Sequence, residues 1–348
     1  LKILSKILAY SPNEIVLIIR ANGKNQKLLL SAHPSYSRAQ LTNEAYENPQ
    51  DPPMFCMLLR KHLEGAIIED IYQKDLDRMI IFEIKGRNEL GDISRKQLIV
   101  EIMGRHSNII LVNKENNLIL DCIKHVSYAV NSFRAILPGQ EYKFPPAQHK
   151  LNPLEATDED ILKVLKFNEG KLDKQLISAF AGISPLLAKE VLFKSKLPTQ
   201  SNVIQAFQEV VTKFRNNVYC PSIMVVNEKE IFYCLELEHV TKTLNTFPTL
   251  SEMLDRFYFG KAARDRIKQQ AQDLERFIIN EKSKNEKKIK KLKSTLNESE
   301  KANQYQLLGE LLTANIYQVK QGMKEIEVVN YYDEEGPMIK IPLDSQKS

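Results

Sequence analysis

Three short polar motifs carry the residue types that grip an anion. Asp77-Arg78 lies immediately before an apolar run, Arg87-Asn88 lies just after it, and Gly104-Arg105-His106-Ser107-Asn108 separates two further apolar runs. An arginine at a strand end presents a rigid, multi-donor fork that matches a phosphate. Asn and Ser beside it add shorter hydrogen bonds to phosphate, sugar or base edges. Residues 32–38 (AHPSYSR) join a proline, an aromatic ring and the Arg38 cation, a composition suited to stacking on or clamping a nucleotide. Further along, Lys282, Lys284, Lys287, Lys288, Lys290, Lys291 and Lys293 form a run that offers a phosphate-tracking surface of low specificity. Plainer readings stand beside each of these: a surface ion pair at Asp77-Arg78, a tight turn at 104–108, an ordinary loop with a buried Tyr36, and a solvated lysine face.

Other chemistries find less support. No histidine sits in an arrangement that identifies a nucleophile or its base. There is no glycine-rich G-x-x-x-x-G-K-[ST] loop for a nucleotide phosphate. Cys56, Cys122, Cys220 and Cys234 are widely separated, make no C-x-x-C pair and suggest buried thiols in a reducing compartment, with no zinc pattern. No metal, cofactor or enzymatic activity is therefore expected.

These motifs need elements to hold them. Residues 14–20 (EIVLIIR) and 26–31 (QKLLLS) read as two strands joined at the Asn22-Gly23 turn. Residues 54–63 read as a short amphipathic helix entered through Pro52-Pro53, and 79–84, 97–103, 107–112 and 117–121 as further short strands. The close connections predict an antiparallel sheet and not βαβ units. Residues 155–166, 174–181, 185–193 and 203–216 read as helices. At 176–193, Gly182 ends one helix while Ser184-Pro185 caps and starts the next, the pattern of a helix-hairpin-helix. A strand pair follows at 223–227 and 230–235.

Residues 261–296 contain neither Pro nor Gly and predict a long basic helix. Its seam repeats at seven through Ile278, Asn285 and Leu292, with Lys282, Ile289 and Leu296 as the companion row, an imperfect coiled-coil pattern. A second helix at 304–319 and a hairpin over 325–330 and 338–341 complete the chain. The expected class is α+β and multidomain, with divisions at 1–150, 151–220 and 221–348.

The 348 residues carry a formal net charge of +5, modest for a nucleic-acid binder, so the local concentration of cations matters more than the sum. No apolar run is long enough for a membrane span, so no membrane is expected among the partners. The chain starts at Leu1 without methionine or a signal-peptide pattern and enters structure at once. The expectation is a fragment, with part of its first domain preceding Leu1, and a long helix that either pairs with another chain or has its second arm beyond Ser348.

Several long motifs together resemble the NFACT family. They are 24–38, 52–62 (PPMFCMLLRKH), Leu76-Asp77-Arg78, 101–108 (EIMGRHSN), 137–142 (LPGQEY), 257–266 (FYFGKAARDR) and 309–315 (GELLTAN), spread over essentially the whole chain. The resemblance implies an amino-terminal domain related in fold to that of formamidopyrimidine-DNA glycosylases, a helix-hairpin-helix domain and a partial coiled-coil domain, truncated before the family's carboxy-terminal NFACT-R domain. It implies a cytoplasmic, ribosome-associated quality control factor. Its partners would be the large ribosomal subunit, rRNA, peptidyl-tRNA and alanyl-tRNA, and its outcome the untemplated addition of alanines to a stalled nascent chain. Carried over by position, Asp77 and Arg78 match an Asp-Arg pair implicated in tRNA recruitment, and Glu101, Ile102, Met103 and Arg105 match a segment near the tRNA. Arg38, Arg87, His106, Asn108 and the seven lysines are the remaining candidates for RNA or ribosome contact. The alternative under the same resemblance is an adhesin that binds fibronectin at the cell surface.

Overall fold

The computed structural model describes residues 2–45, 51–240 and 242–344; within the long helix, residues 260–266 and 268–270 are described by backbone alone. The side chains of residues 260–266 in the 257–266 motif, and Leu1, therefore lie outside the described residues. The fold is a mixed α and β structure around a large antiparallel sheet, and it falls into two compact units, Leu1–Arg264 and Asp265–Ser348. No helix among the described residues is long and apolar enough to cross a membrane.

The first unit begins with strands β1 (Lys2–Ser11), β2 (Glu14–Ala21), β3 (Lys24–Ser31) and β4 (Arg38–Thr42), then helix α1 (Met54–Leu63). It continues with β5 (Ile67–Gln73), β6 (Met79–Arg87), β7 (Ile93–Glu101), β8 (Asn108–Asn113) and β9 (Ile119–Cys122). All nine strands form one sheet in the order β4-β3-β2-β1-β5-β6-β7-β8-β9. It is two meanders joined at β1 and β5, where pairing is reduced to Ile3 opposite Ile67. α1 staples this weak joint: Arg60 Nε donates to Ile7 O at 2.8 Å, and Ile7 N donates to Glu64 Oε1 at 3.1 Å. Phe55, Cys56, Leu59 and Leu63 on the helix pack with Leu4, Ile7, Leu98 and Val100 in the main core.

Helices α2 (Asp158–Val164), α3 (Leu172–Ala179), α4 (Pro185–Lys194) and α5 (Gln200–Arg215) share a second core around Phe180 and Phe207. Gly182 adopts the left-handed conformation (φ +72°) at the end of the α3–α4 turn, and Ser184 Oγ accepts from Leu187 N at 3.2 Å to cap α4. Ile183 points inward, as its place in the motif predicts. β10 (Ser222–Val226), β11 (Lys229–Tyr233) and β12 (Lys242–Thr246) form a small sheet in the order β11-β10-β12. Helix α6 (Leu250–Ala314) follows. Its first turns meet β4: Leu41 N donates to Ser251 Oγ at 3.1 Å, and the buried Asp255 carboxylate accepts from Thr42 Oγ1 at 2.7 Å, from Asn43 N at 3.1 Å and from Gln40 Nε2.

The second unit comprises the rest of α6 and the hairpin of β13 (Glu325–Val329) and β14 (Met338–Pro342). Leu311 near the helix end is fully buried against Ile326, Val328 and Ile341 of the hairpin. The expected break between two helices is absent: α6 runs on through 297–303, because no Pro or Gly occurs between Lys261 and Leu308 to end it.

Candidate nucleic-acid interface

The loop between β5 and β6 is built by Asp77. Asp75 takes a left-handed backbone (φ +49°), Asp77 N donates to Lys74 O at 3.1 Å, and Met79 N returns to Asp77 O at 2.8 Å. The half-buried Asp77 carboxylate accepts from the amide of the next residue, Arg78 N, at 2.9 Å, which sets the direction of that residue. The plainer reading of Asp77-Arg78 as a surface ion pair is not met, since the carboxylate serves the backbone. Arg78 is exposed, and its guanidinium has no partner among the described residues.

Strand register brings the second motif to the same place. Met79 lies opposite Glu101 across β6 and β7, and Ile102 N donates to Arg78 O at 2.8 Å. A single 3-10 turn, Gly104–His106, then leads into β8. Gly104 needs its left-handed φ of +58° there, and Ser107 Oγ fixes the turn by accepting from Met103 N at 2.8 Å. Arg105 and His106 stand exposed, with Arg105 Nε 3.0 Å from His106 Nε2. Asp77, Arg78, Ile102, Met103, Arg105 and His106 thus share one end of the sheet. Two further segments close on it. A methyl group on Gly104 would lie 3.8 Å from Pro34 O, and one on Gly182 would lie 3.8 Å from Leu76 Cβ. The 32–38 loop and the α3–α4 turn therefore both border the site. In that loop His33 and Tyr36 stack at 3.8 Å with rings 5° from parallel.

Three predicted contacts are corrected by burial. Glu101 is 0% exposed; Arg134 Nη1 and Nη2 each donate to its carboxylate at 2.7 Å, and Tyr142 Oη donates at 2.8 Å. Burial first, and the Glu101 charge second, push the Tyr142 hydroxyl well above the ordinary tyrosine range. Asn108 is buried as well, its amide donating to Lys124 O at 2.8 Å and its Oδ1 accepting from Ile109 N and Lys124 N. Arg38 is turned inward, donating to Gln40 Oε1 and Tyr36 O at 2.8 Å each, 3.8 Å from Glu14 and over the Tyr258 ring at 4.7 Å. All three are buried and bonded within the protein, beneath the exposed end of the sheet. Arg87 is exposed but stands at the far end of β6, donating to Gly91 O; at about 3.3 Å per residue it is roughly 26 Å from Met79.

In the second unit all seven lysines from Lys282 to Lys293 are exposed. Two sit in open pairs, Lys284 with Glu281 at 3.3 Å and Lys282 with Glu286 at 4.0 Å, which water screens. At about 100° per residue the lysines spread over most of the helix circumference, whereas Ile278, Asn285, Ile289, Leu292 and Leu296 fall within an arc of roughly 60°. Ile278, Ile289, Leu292 and Leu296 are each more than half exposed. The basic run is thus a collar that leaves an apolar seam uncovered.

The residues missed in the sequence are the braces: Arg134, Tyr142 and Lys124, whose Nζ donates to Ala32 O. Their signal was a lone arginine between apolar neighbours in 133–137 (FRAIL), a charge at an interior spacing. Asp121, Cys122 and His125 bring donor atoms within 4.8 Å of one another, a grouping the spacing had not suggested. The Cys122 thiol faces Lys124 O at 3.2 Å and Ile136 O at 3.4 Å. Burial, then the Asp121 charge, pushes it up to about 12, which favours a protonated, hydrogen-bonded thiol over a metal ligand. Cys122 in the native chain at pH 8 is expected to resist a thiol-reactive reagent and to label fully in urea; rapid native labelling, read by mass spectrometry, would show that the 122–136 segment opens.

The model for NFACT N-terminal and middle domains matches residues 2–348. The chain belongs to the NFACT family. This NFACT chain is 57% identical over 336 residues to the Rqc2 homolog RqcH of Bacillus subtilis (strain 168), covering 97% of the chain and 59% of that relative. It is 38% identical to the Rqc2 homolog RqcH of Streptococcus pneumoniae serotype 2 (strain D39 / NCTC 7466), covering 94% of the chain and 56% of the relative. The chain therefore spans somewhat over half the length of these curated relatives. Among solved structures, it is similar to the fibrinogen binding protein from Staphylococcus aureus at a TM-score of 0.67 and 39% identity, over 74% of this chain and 92% of that one. The N-terminal part of the fibronectin/fibrinogen-binding protein from Streptococcus suis gives a TM-score of 0.65 at 37% identity, with the same coverage.

Proposed function

We propose that this chain is the RNA-gripping part of a ribosome quality control factor. It binds a large ribosomal subunit obstructed by peptidyl-tRNA and recruits alanyl-tRNA, so that alanines are added without a template to the stalled nascent chain. The observation that carries this reading is the Ile102 N to Arg78 O bond, which joins the Asp77-Arg78 motif to the 102–106 segment. Two exposed arginines, Arg78 and Arg105, stand there with His106, on the loop before β6 and the 3-10 turn before β8. Guanidinium forks so held match phosphates, and Ile102 and Met103 beside them offer half-buried apolar surface. The likeness to the two Rqc2 homologues supports the process. On this reading the chain positions RNA and makes or breaks no bond itself.

The lysine collar supplies a second, less specific attachment to the subunit's RNA. Neutralising Lys282, Lys287, Lys290 and Lys293 together is expected to weaken subunit binding and to flatten its salt dependence. The slope should fall by up to about 0.9 for each duplex phosphate that is no longer neutralised. An unchanged slope would reduce the collar to a solvated surface. The proposal as a whole is tested by co-sedimentation with purified large subunits carrying peptidyl-tRNA across a salt series. Saturable, salt-sensitive binding that fails on empty subunits is expected; equal binding to both kinds of subunit would overturn it. The adhesin alternative draws only on how the two solved neighbours are described. Fibronectin retention by the immobilised chain at physiological salt would revive it.

A further inference from the structure

We infer that the loop from Ser127 to Phe133 is a base-stacking wall of the RNA site, a role that rests on the RNA-binding reading above. Tyr128 is 54% exposed, Val130 80% and Phe133 54%, an unusual share of apolar surface for one short loop. The loop is nevertheless fixed. Val126 and Ile136 exchange both backbone hydrogen bonds, at 3.0 and 2.7 Å, and close its base. Val130 N and Asn131 N both donate to Ser127 O at 3.0 Å, and Asn131 Oδ1 accepts from Phe133 N at 3.0 Å. The next residue, Arg134, is buried in its two-pronged bond to Glu101. Rings held out into water by a braced loop are poised for a partner with a flat face.

The position and charge of the loop indicate what that partner is. Its anchor, Glu101, immediately precedes Ile102, which is bonded to Arg78 O, so the loop is rooted beside the exposed Arg78 and Arg105. From 122 to 140 the chain has no acidic residue, and with Lys124, His125 and Arg134 engaged by Ala32 O, Asp121 and Glu101, the positive charge facing solvent beside the loop is that of Arg78 and Arg105. A polyanion that also presents unstacked apolar rings fits both properties, and that is an RNA with unpaired bases. The arginines hold its phosphates and the Tyr128 and Phe133 rings take its bases.

The two contributions separate by their response to salt, because stacking releases no counterions. The test is fluorescence anisotropy of labelled total tRNA with the full 348-residue chain over a potassium chloride series. Tyr128→Ala with Phe133→Ala is expected to weaken binding about tenfold while leaving the salt slope unchanged. Arg78→Ala is expected to lower the slope by about one. Tyr128→Phe with Phe133→Tyr should bind like the parent, since both rings remain. All these side chains are exposed, so unchanged thermal melting is the folding control. Parental affinity in the double alanine variant, alongside a weakened Arg78→Ala, overturns the stacking wall and leaves the RNA reading standing. A parent chain that does not bind tRNA overturns both.

Discussion

Arg78→Ala in the full-length protein should abolish most tRNA recruitment and leave the fold intact. The guanidinium is exposed and has no hydrogen-bond or ion-pair partner among the described residues, so its removal orphans no polar group, whereas a charge-assisted bond to phosphate is worth about 1.5–3 kcal/mol, or roughly ten- to a hundredfold in affinity. Asp77 acts differently. Its carboxylate accepts from Arg78 N and so aims the arginine. Asp77→Asn keeps an acceptor oxygen and should retain most binding, while Asp77→Ala should loosen the loop and lose part of it. Binding of alanyl-tRNA and the rate of alanine addition are the measurements. Tailing at the wild-type rate with both residues changed to alanine would remove this pair from the site.

The second large effect is on stability. Glu101→Gln leaves the Arg134 charge buried without its counter-charge, a change that typically costs about 3–5 kcal/mol. For a unit of this size that corresponds to a fall in melting temperature of roughly 6–20 °C. Glu101→Leu combined with Arg134→Met removes both charges and should recover much of the loss, because buried ion pairs replaced as a pair are often neutral. If Glu101→Gln melts like the parent and yet fails to bind tRNA, the carboxylate touches RNA after all and the brace assignment is wrong. The same pair of variants reports on the Ser127–Phe133 loop, since Arg134 is its root.

Much of the frame was readable in the residues. The Asn22-Gly23 hairpin, the Pro-entered α1, the glycine turn capped by Ser184 and the β13–β14 hairpin each follow from local chemistry that acts within a few positions. β4 and β5 were not foreseen. β5 (IIEDIYQ) places apolar and acidic residues in adjacent pairs and is mostly exposed, and β4 (RAQLT) alternates in the inverted sense, burying Arg38, Gln40 and Thr42, so neither shows an apolar face turned to the core. Within the candidate site, Arg78, Arg105 and His106 stand exposed, as polar side chains at strand ends usually do. Residue type misjudged Glu101, Asn108 and Arg38 because polar type alone does not say whether a partner waits inside. Arg134 lies 33 residues from Glu101, and Lys124 lies 16 from Asn108. Such pairings depend on the register of several strands at once, and no local pattern encodes them.

The contact of Asp255 and Ser251 with β4 has a consequence for what the great sheet can accept. An outermost strand ordinarily offers a row of spare amides and carbonyls to any extended chain that passes. Here the outward amides of Leu41 and Asn43 are already taken by the helix. At the opposite side Ile119 N donates to Gln140 O, and Gly139 N donates to Ile119 O, so the returning segment covers β9 as well. Both borders are therefore sealed by the chain's own residues. Sealing of this kind guards against runaway strand exchange between copies during synthesis. It also means that an extended host peptide would find no vacant lane at Leu41, Asn43 or Ile119 of the large sheet.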